Sequence, residues 1–135
     1  MPQPANAAEA VAGAVDRLPD LVAADAGLRH RARHTRLDIL FEAGDARWFL
    51  TFEHGRLAPP RAGTRVLAPS TIAFAAAPEI WLRHWRRLPA PGDHDLFALV
   101  KNGQMRCEGD VMALMRHLQV VKDLLAAPRS LFAEA

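Results

Sequence analysis

Residues able to do covalent or acid–base chemistry are few in this sequence, and their surroundings read as structural. Cys107 is the one cysteine. As a thiolate it would be a nucleophile, but it alternates with Arg106 and Glu108 in a strand-like run, so its side chain is expected to point into a core; a reactive thiol needs exposure and a lowered pKa. Asp93, His94 and Asp95 form the densest titratable cluster and are of the types that move protons. They stand just before "LFALVK", where carboxylates favour the positive end of a helix, and are read as its caps. His30 and His34 are spaced for one helical turn, yet no third ligand is spaced to complete a metal site. Ser70 and Ser130 lie in no G-x-S-x-G elbow. "NGQMRCEG" has neither the glycine spacing nor the lysine of a phosphate loop. The sequence therefore predicts no catalytic residue, no metal and no cofactor.

Basic side chains gather twice. "LRHRARHTR" carries Arg29, Arg31, Arg33 and Arg36 with His30 and His34; it could meet a phosphate, an acidic lipid head or nucleic acid, and is read as a solvated connection. Arg83, Arg86 and Arg87 flank Trp81 and Trp85 in a pattern that suits a charged outer face or a helix resting on a membrane surface. The formal net charge over 135 residues is only +2, which speaks against a dedicated nucleic-acid binder.

The elements that would position these groups are legible from period. Half the residues are hydrophobic and 24% are charged, the balance of a soluble globular domain. Asn6 with Glu9 reads as a capping box for a helix carrying Val11, Val15, Leu18 and Val22. Pro19 is expected to kink or divide that helix, and Gly27 to end it. From Thr35 the period shortens to two. Leu37, Ile39 and Phe41, then Trp48, Leu50 and Phe52 across "EAGDAR", predict a hairpin. His54-Gly55 predicts a further tight turn into a third strand, which Pro59 and Pro60 confine to an edge. "STIAFAAA" gives a fourth strand with Ile72 and Phe74 inward. Pro78 opens a helix at the position that tolerates proline best, and Trp81 and Trp85, four apart, share its face. A short helix ends at Asn102-Gly103, a strand follows from Gln104 to Glu108, and Asp110 caps a long helix to about Ala126, closed by Pro128. Helices with one apolar stripe must cover a sheet, so an α+β layer is predicted.

At "NGQMRCEGD", Asn102 to Asp110, the chain resembles the sterol carrier protein 2 family: a glycine, an alternating strand and a glycine-aspartate pair before the last helix. "RWFLTFEHGRL" is similar to that family's central hairpin, and "STIAFAAAPEIWLRHW" to its following strand and helix. Cys107 stands where an aliphatic residue is usual. The resemblance covers roughly residues 28–126 and implies a mostly antiparallel sheet of about five strands, helices packed on one face, and an apolar tunnel between them for a sterol, fatty acyl, acyl-CoA or isoprenoid chain. One domain is expected over 7–127, with flexible tails at 1–6 and 128–135.

Methionine is flexible and polarizable, so Met105, Met112 and Met115 would suit a wall that adapts to its ligand. The expected lining is Leu50, Phe52, Phe74, Trp81, Trp85, Phe97, Met105, Met112, Met115 and Leu118, each of which also serves as ordinary core. The expected function is lipid binding and transport. An accessory module presenting an isoprenoid or steroid intermediate to partner enzymes is the alternative. A small enzyme using Asp93, His94, Asp95 or Cys107 on a lipid or acyl-CoA is a further one. The partner is then a long apolar small molecule, with a transient membrane surface or lipid-modifying enzymes beside it and no nucleic acid. A lone cysteine fits a reducing compartment, the cytoplasm, and neither a secretory signal nor an apolar run of spanning length is read.

Overall fold

The computed structural model describes residues 6–63, 71–86 and 89–132; most of the N-terminal tail, Ser70, Arg87 and the last three residues lie outside them. Helix α1, Ala7–Ala24, starts where Asn6 accepts the Glu9 N–H at 2.9 Å. It buries Val11, Ala14, Val15, Leu18 and Val22 on one stripe. Pro19 does not divide it: Val15 and Leu18 on one side and Val22 on the other seat both halves in the same core. The break falls at Asp25 instead, whose carboxylate accepts the Leu28 N–H at 3.0 Å and caps α2, Ala26–Arg31. Gly27, expected as a terminator, lies inside α2.

Strands β1, Arg36–Ala43, and β2, Ala46–Glu53, pair antiparallel around Gly44-Asp45, in register from Ala43 opposite Ala46 to Arg36 opposite Glu53. The next turn, into β3 (Arg56–Leu57), places His54 at φ 52° and Gly55 at φ 80°, the pair of positive angles that a type I′ hairpin turn requires. A Cβ on Gly55 would come within 2.8 Å of the Arg29 carbonyl oxygen, so this turn admits no side chain there. The expected third strand is two fragments. Beyond Pro59 and Pro60, β4 (Arg61–Ala62) rejoins β2, since proline offers no N–H to a continuous ladder.

Strand β5, Thr71–Ala76, lies parallel to β1, and β6, Met105–Gly109, antiparallel to β5. The sheet order is β3-β2-β1-β5-β6 with β4 on β2, so a mostly antiparallel sheet carries one parallel pair at its centre. Alternation along each strand puts Leu37, Ile39, Phe41, Leu50, Phe52, Ile72, Phe74 and Met105 into one core with the helices. Helices α3, Pro78–His84, and α4, Leu96–Lys101, fill the connection from β5 to β6. Gly109 sits at φ 111°, and a Cβ there would be driven into the Thr71 carbonyl; Asp110 N–H bonds that same oxygen at 3.1 Å.

The long last helix is two. Asp110 caps α5, Val111–Arg116, by accepting the Ala113 N–H at 3.0 Å, as its position predicts. His117 leaves helical angles, its Nδ1 3.4 Å from Thr35 Oγ1, and α6 runs Leu118–Ala126. Pro128 does not begin a tail. It is buried in a 3₁₀ segment, Ala127–Phe132, that packs on α1.

Candidate functional site

The face between sheet and helices is organised around aromatic rings. Pro78 begins α3, and four residues of spacing turn Trp81 and Trp85 toward the sheet. Phe41 of β1 meets both, with ring centroids 4.2 Å from Trp81 and 6.0 Å from Trp85. Trp48, opposite Phe41 in the hairpin register, stands 5.9 Å away, and Phe132 stacks on Trp85 at 6.1 Å. Both indole N–H groups are spoken for. Trp81 Nε1 donates to the Glu42 carbonyl at 2.9 Å, and Trp85 Nε1 to the Leu125 carbonyl at 2.7 Å. A buried indole with its N–H satisfied contributes its full apolar area, so this pair ties α3 to β1 and to α6.

The expected lining divides in three. Leu50, Phe52, Phe74, Trp81, Trp85 and Met105 are buried together. Phe97 and Leu118 are partly buried at the edge of that cluster, with Lys122 Nζ 5.2 Å from the Phe97 ring centroid. Met112 and Met115 are not with them: they are 71% and 58% exposed, beside Val111 at 58%. Helix α5 buries Leu114 alone, and the break at His117 removes the common axis that would have stacked Met115 on Leu118. Phe41 and Phe132 were missed. Phe41 was legible, because the hairpin register sets it opposite Trp48; Phe132 was concealed in an expected tail.

Two carboxylates of the titratable cluster have structural partners, Asp93 with Arg83 at 3.8 Å among them. Asp95 accepts the Phe97 N–H at 3.2 Å, capping α4, and pairs with Lys122 at 3.3 Å. His84 is buried, its Nδ1 2.8 Å from the Asp93 carbonyl oxygen, and burial holds its pKa below the usual histidine value. Cys107 lies opposite Phe74, and burial pushes its thiol pKa up, away from nucleophilic chemistry. Among the described residues no three His, Cys, Asp or Glu side chains form a metal-holding group. In the arginine-rich connection, Arg31 pairs with Asp123 at 2.8 Å, Arg36 with Glu53 at 3.0 Å, and Arg33 donates to the His30 carbonyl at 2.7 Å.

Recesses lined by described residues include one of about 340 Å³ at the β5–β6 end, by Glu42, Ala76, Gln104 and Met105, and one of about 340 Å³ between α4, α6 and the 3₁₀ segment, by His84, Asp95, Lys122 and Arg129. No helix among the described residues is long and apolar enough to cross a membrane.

No family model and no curated protein matches the sequence. Solved structures do match in shape. A crystal structure of sterol carrier protein 2 superposes with a TM-score of 0.68 at 13% identity, over 87% of this chain and 94% of that one. A conserved hypothetical protein from Thermus thermophilus, TT1886, described as possibly a sterol carrier protein, gives 0.61 at 15% identity over 87% and 85%. UbiJ-SCP2, a ubiquinone synthesis protein, gives 0.57 at 15% identity over 96% and 98%. The α+β architecture anticipated from "NGQMRCEGD" and the hairpin is thus the one these proteins share, and the chain has the sterol carrier protein 2 fold.

Proposed function

We propose that this chain is a lipid carrier that takes up the long apolar chain of a sterol, fatty acyl, acyl-CoA or isoprenoid molecule between its sheet and its helices. The observation that carries the reading is α5. In a fold shared with sterol carrier protein 2, a six-residue helix exposes Val111, Met112 and Met115 while anchoring itself through Leu114. So short a helix has little stability of its own, and lifting it would uncover the part of β5 on which it packs. Its methionines would then meet the incoming chain, and Leu50, Phe52, Phe74 and Met105 would form the walls. Trp81 and Trp85, held by their N–H bonds, would be the fixed part of the enclosure, with Phe97 and Leu118 at its margin. The driving force is desolvation, about 0.8 kcal/mol per methylene buried, and it asks for no catalytic group; Asp95, His84 and Cys107 are disposed accordingly. The single cysteine suits work in the cytoplasm.

Native mass spectrometry of the protein purified without detergent tests this. Bound lipid is expected, and a bare polypeptide that also ignores fluorescent fatty acids and sterols refutes it. A second reading, an accessory module offering an isoprenoid intermediate to partner enzymes, is supported by the likeness to UbiJ-SCP2 over nearly the whole chain. Co-purification of lipid-modifying enzymes from the native cell, lost on Met112→Glu, favours it; lipid without partners favours the free carrier.

A further inference from the structure

The two edges of the sheet are built differently. On one side stand β3 and β4, two residues each and separated by Pro59 and Pro60; short fragments broken by proline give a visiting strand little to pair with. The other edge is β6, Met105–Gly109, five residues without a proline. One bond fixes its orientation. Asp110 N–H donates to the Thr71 carbonyl, so along the antiparallel ladder Glu108 and Arg106 also turn their backbone groups to β5, and Met105, Cys107 and the Gly109 N–H point outward. Among the described residues no backbone group meets these outward ones. Side chains alternate as well: Met105 and Cys107 pack toward the helices, and Arg106 and Glu108 lie on the opposite face. Arg106 is exposed and has no carboxylate partner among the described residues.

We propose that β6 pairs antiparallel with β6 of a second copy of this chain, Cys107 opposite Cys107, joining two sheets into one across a two-fold axis. The sequence of the strand selects both the partner and the register. With Cys107 on the axis, Met105 falls opposite Gly109, so outward backbone groups meet outward groups, and Arg106 falls opposite Glu108 on either side of the axis. Arg106 and Glu108 then form the non-hydrogen-bonded pairs, where side chains come closest, and opposite charges there stabilise a ladder. Neighbouring registers do the reverse. A slip of two residues, the step that keeps outward groups together, sets Arg106 against Arg106 or Glu108 against Glu108, and like charges directly opposite are destabilising. Glu108, engaged within its own chain, has two carboxylate oxygens to share. The contact is self-complementary, as a two-fold interface must be. It uses the sheet's edge and leaves the face between sheet and helices alone, so it stands or falls apart from the carrier reading.

The test is sedimentation equilibrium of the full chain, with amide hydrogen exchange followed by NMR at low and high chain concentration. A dimer is expected, weakened by added salt. Exchange at Met105, Cys107 and Gly109 should slow as concentration rises, while Arg106 and Glu108, already bonded to β5, stay slow throughout. Arg106→Glu should weaken dimerisation about tenfold, because it turns the favourable cross-strand pairs into repulsive ones, and Arg106→Lys should preserve it. A chain that stays monomeric at millimolar concentration overturns the proposal and leaves the edge to a strand of another protein. A dimer whose Met105, Cys107 and Gly109 amides exchange at the monomer's rate overturns it as well, and so does one that folded Arg106→Glu leaves at full strength.

Discussion

Replacing Trp85 with phenylalanine separates a structural tryptophan from a ligand platform. Trp85 is fully buried, stacks on Phe41 and Phe132, and gives its N–H to the Leu125 carbonyl at 2.7 Å. Phenylalanine keeps most of the stacking but loses that hydrogen bond, about 1 kcal/mol, and the second indole ring, whose missing contacts leave a void costing about 1–2 kcal/mol more. A loss of about 2–3 kcal/mol is a large part of the roughly 5–15 kcal/mol that stabilises a domain. With a urea slope near 2 kcal/mol/M, it moves the unfolding midpoint by about 1 M. Urea titration followed by fluorescence, with Trp48 and Trp81 as remaining reporters, measures it; Phe97→Leu at the cluster's edge serves as comparison and should shift by less than half as much. A Trp85→Phe midpoint within about 0.3 M of wild type would refute the argument, and if lipid retention fell at the same time, Trp85 would be a platform and not a tie.

Other consequences are directly measurable. Met112→Glu with Met115→Glu should leave stability within about 0.5 kcal/mol, since both are exposed, while slowing uptake of a fluorescent fatty acid severalfold; unchanged uptake would remove α5 from the proposed opening. His84 has its folded pKa below its ordinary value of 6.5 because of burial, so its neutral form stabilises the fold fully above pH 6.5 and that contribution drains away as pH falls toward the folded pKa. Stability measured through this window should decline, and the decline should shrink in His84→Gln. Cys107 should react with iodoacetamide more slowly than a model thiol at the same pH, and faster reaction would contradict its raised pKa. Gly109→Ala should cost well over about 1 kcal/mol in thermal or urea unfolding, because its Cβ has no room beside the Thr71 carbonyl.

What could be read from the sequence was whatever depended on neighbours in the chain. Asn6, Asp95 and Asp110 sit at caps because a side-chain oxygen reaches an amide two or three residues on, and each was legible. The hairpin followed from alternation around Gly44-Asp45. What depended on distant partners was not. Nothing near Pro19 reports that Val15 and Val22 share a core strong enough to carry the helix past it. The turn at His117 arises beside Thr35, far away in sequence, and with it Met112 and Met115 moved from the expected interior to the surface. The parallel pairing of β1 with β5 and the stacking of Phe132 on Trp85 are likewise long-range choices.

The contact between α1 and the 3₁₀ segment joins the first described helix to the last residues described. During synthesis the β1–β2 hairpin can pair as soon as both strands leave the ribosome, for its loop is short. The Val11-to-Val22 stripe has to wait for nearly the whole chain, and until Pro128 and Phe132 emerge it is a greasy helix without its final cover. Removing the 3₁₀ segment should therefore leave the α1 stripe open to a hydrophobic dye that the intact fold excludes.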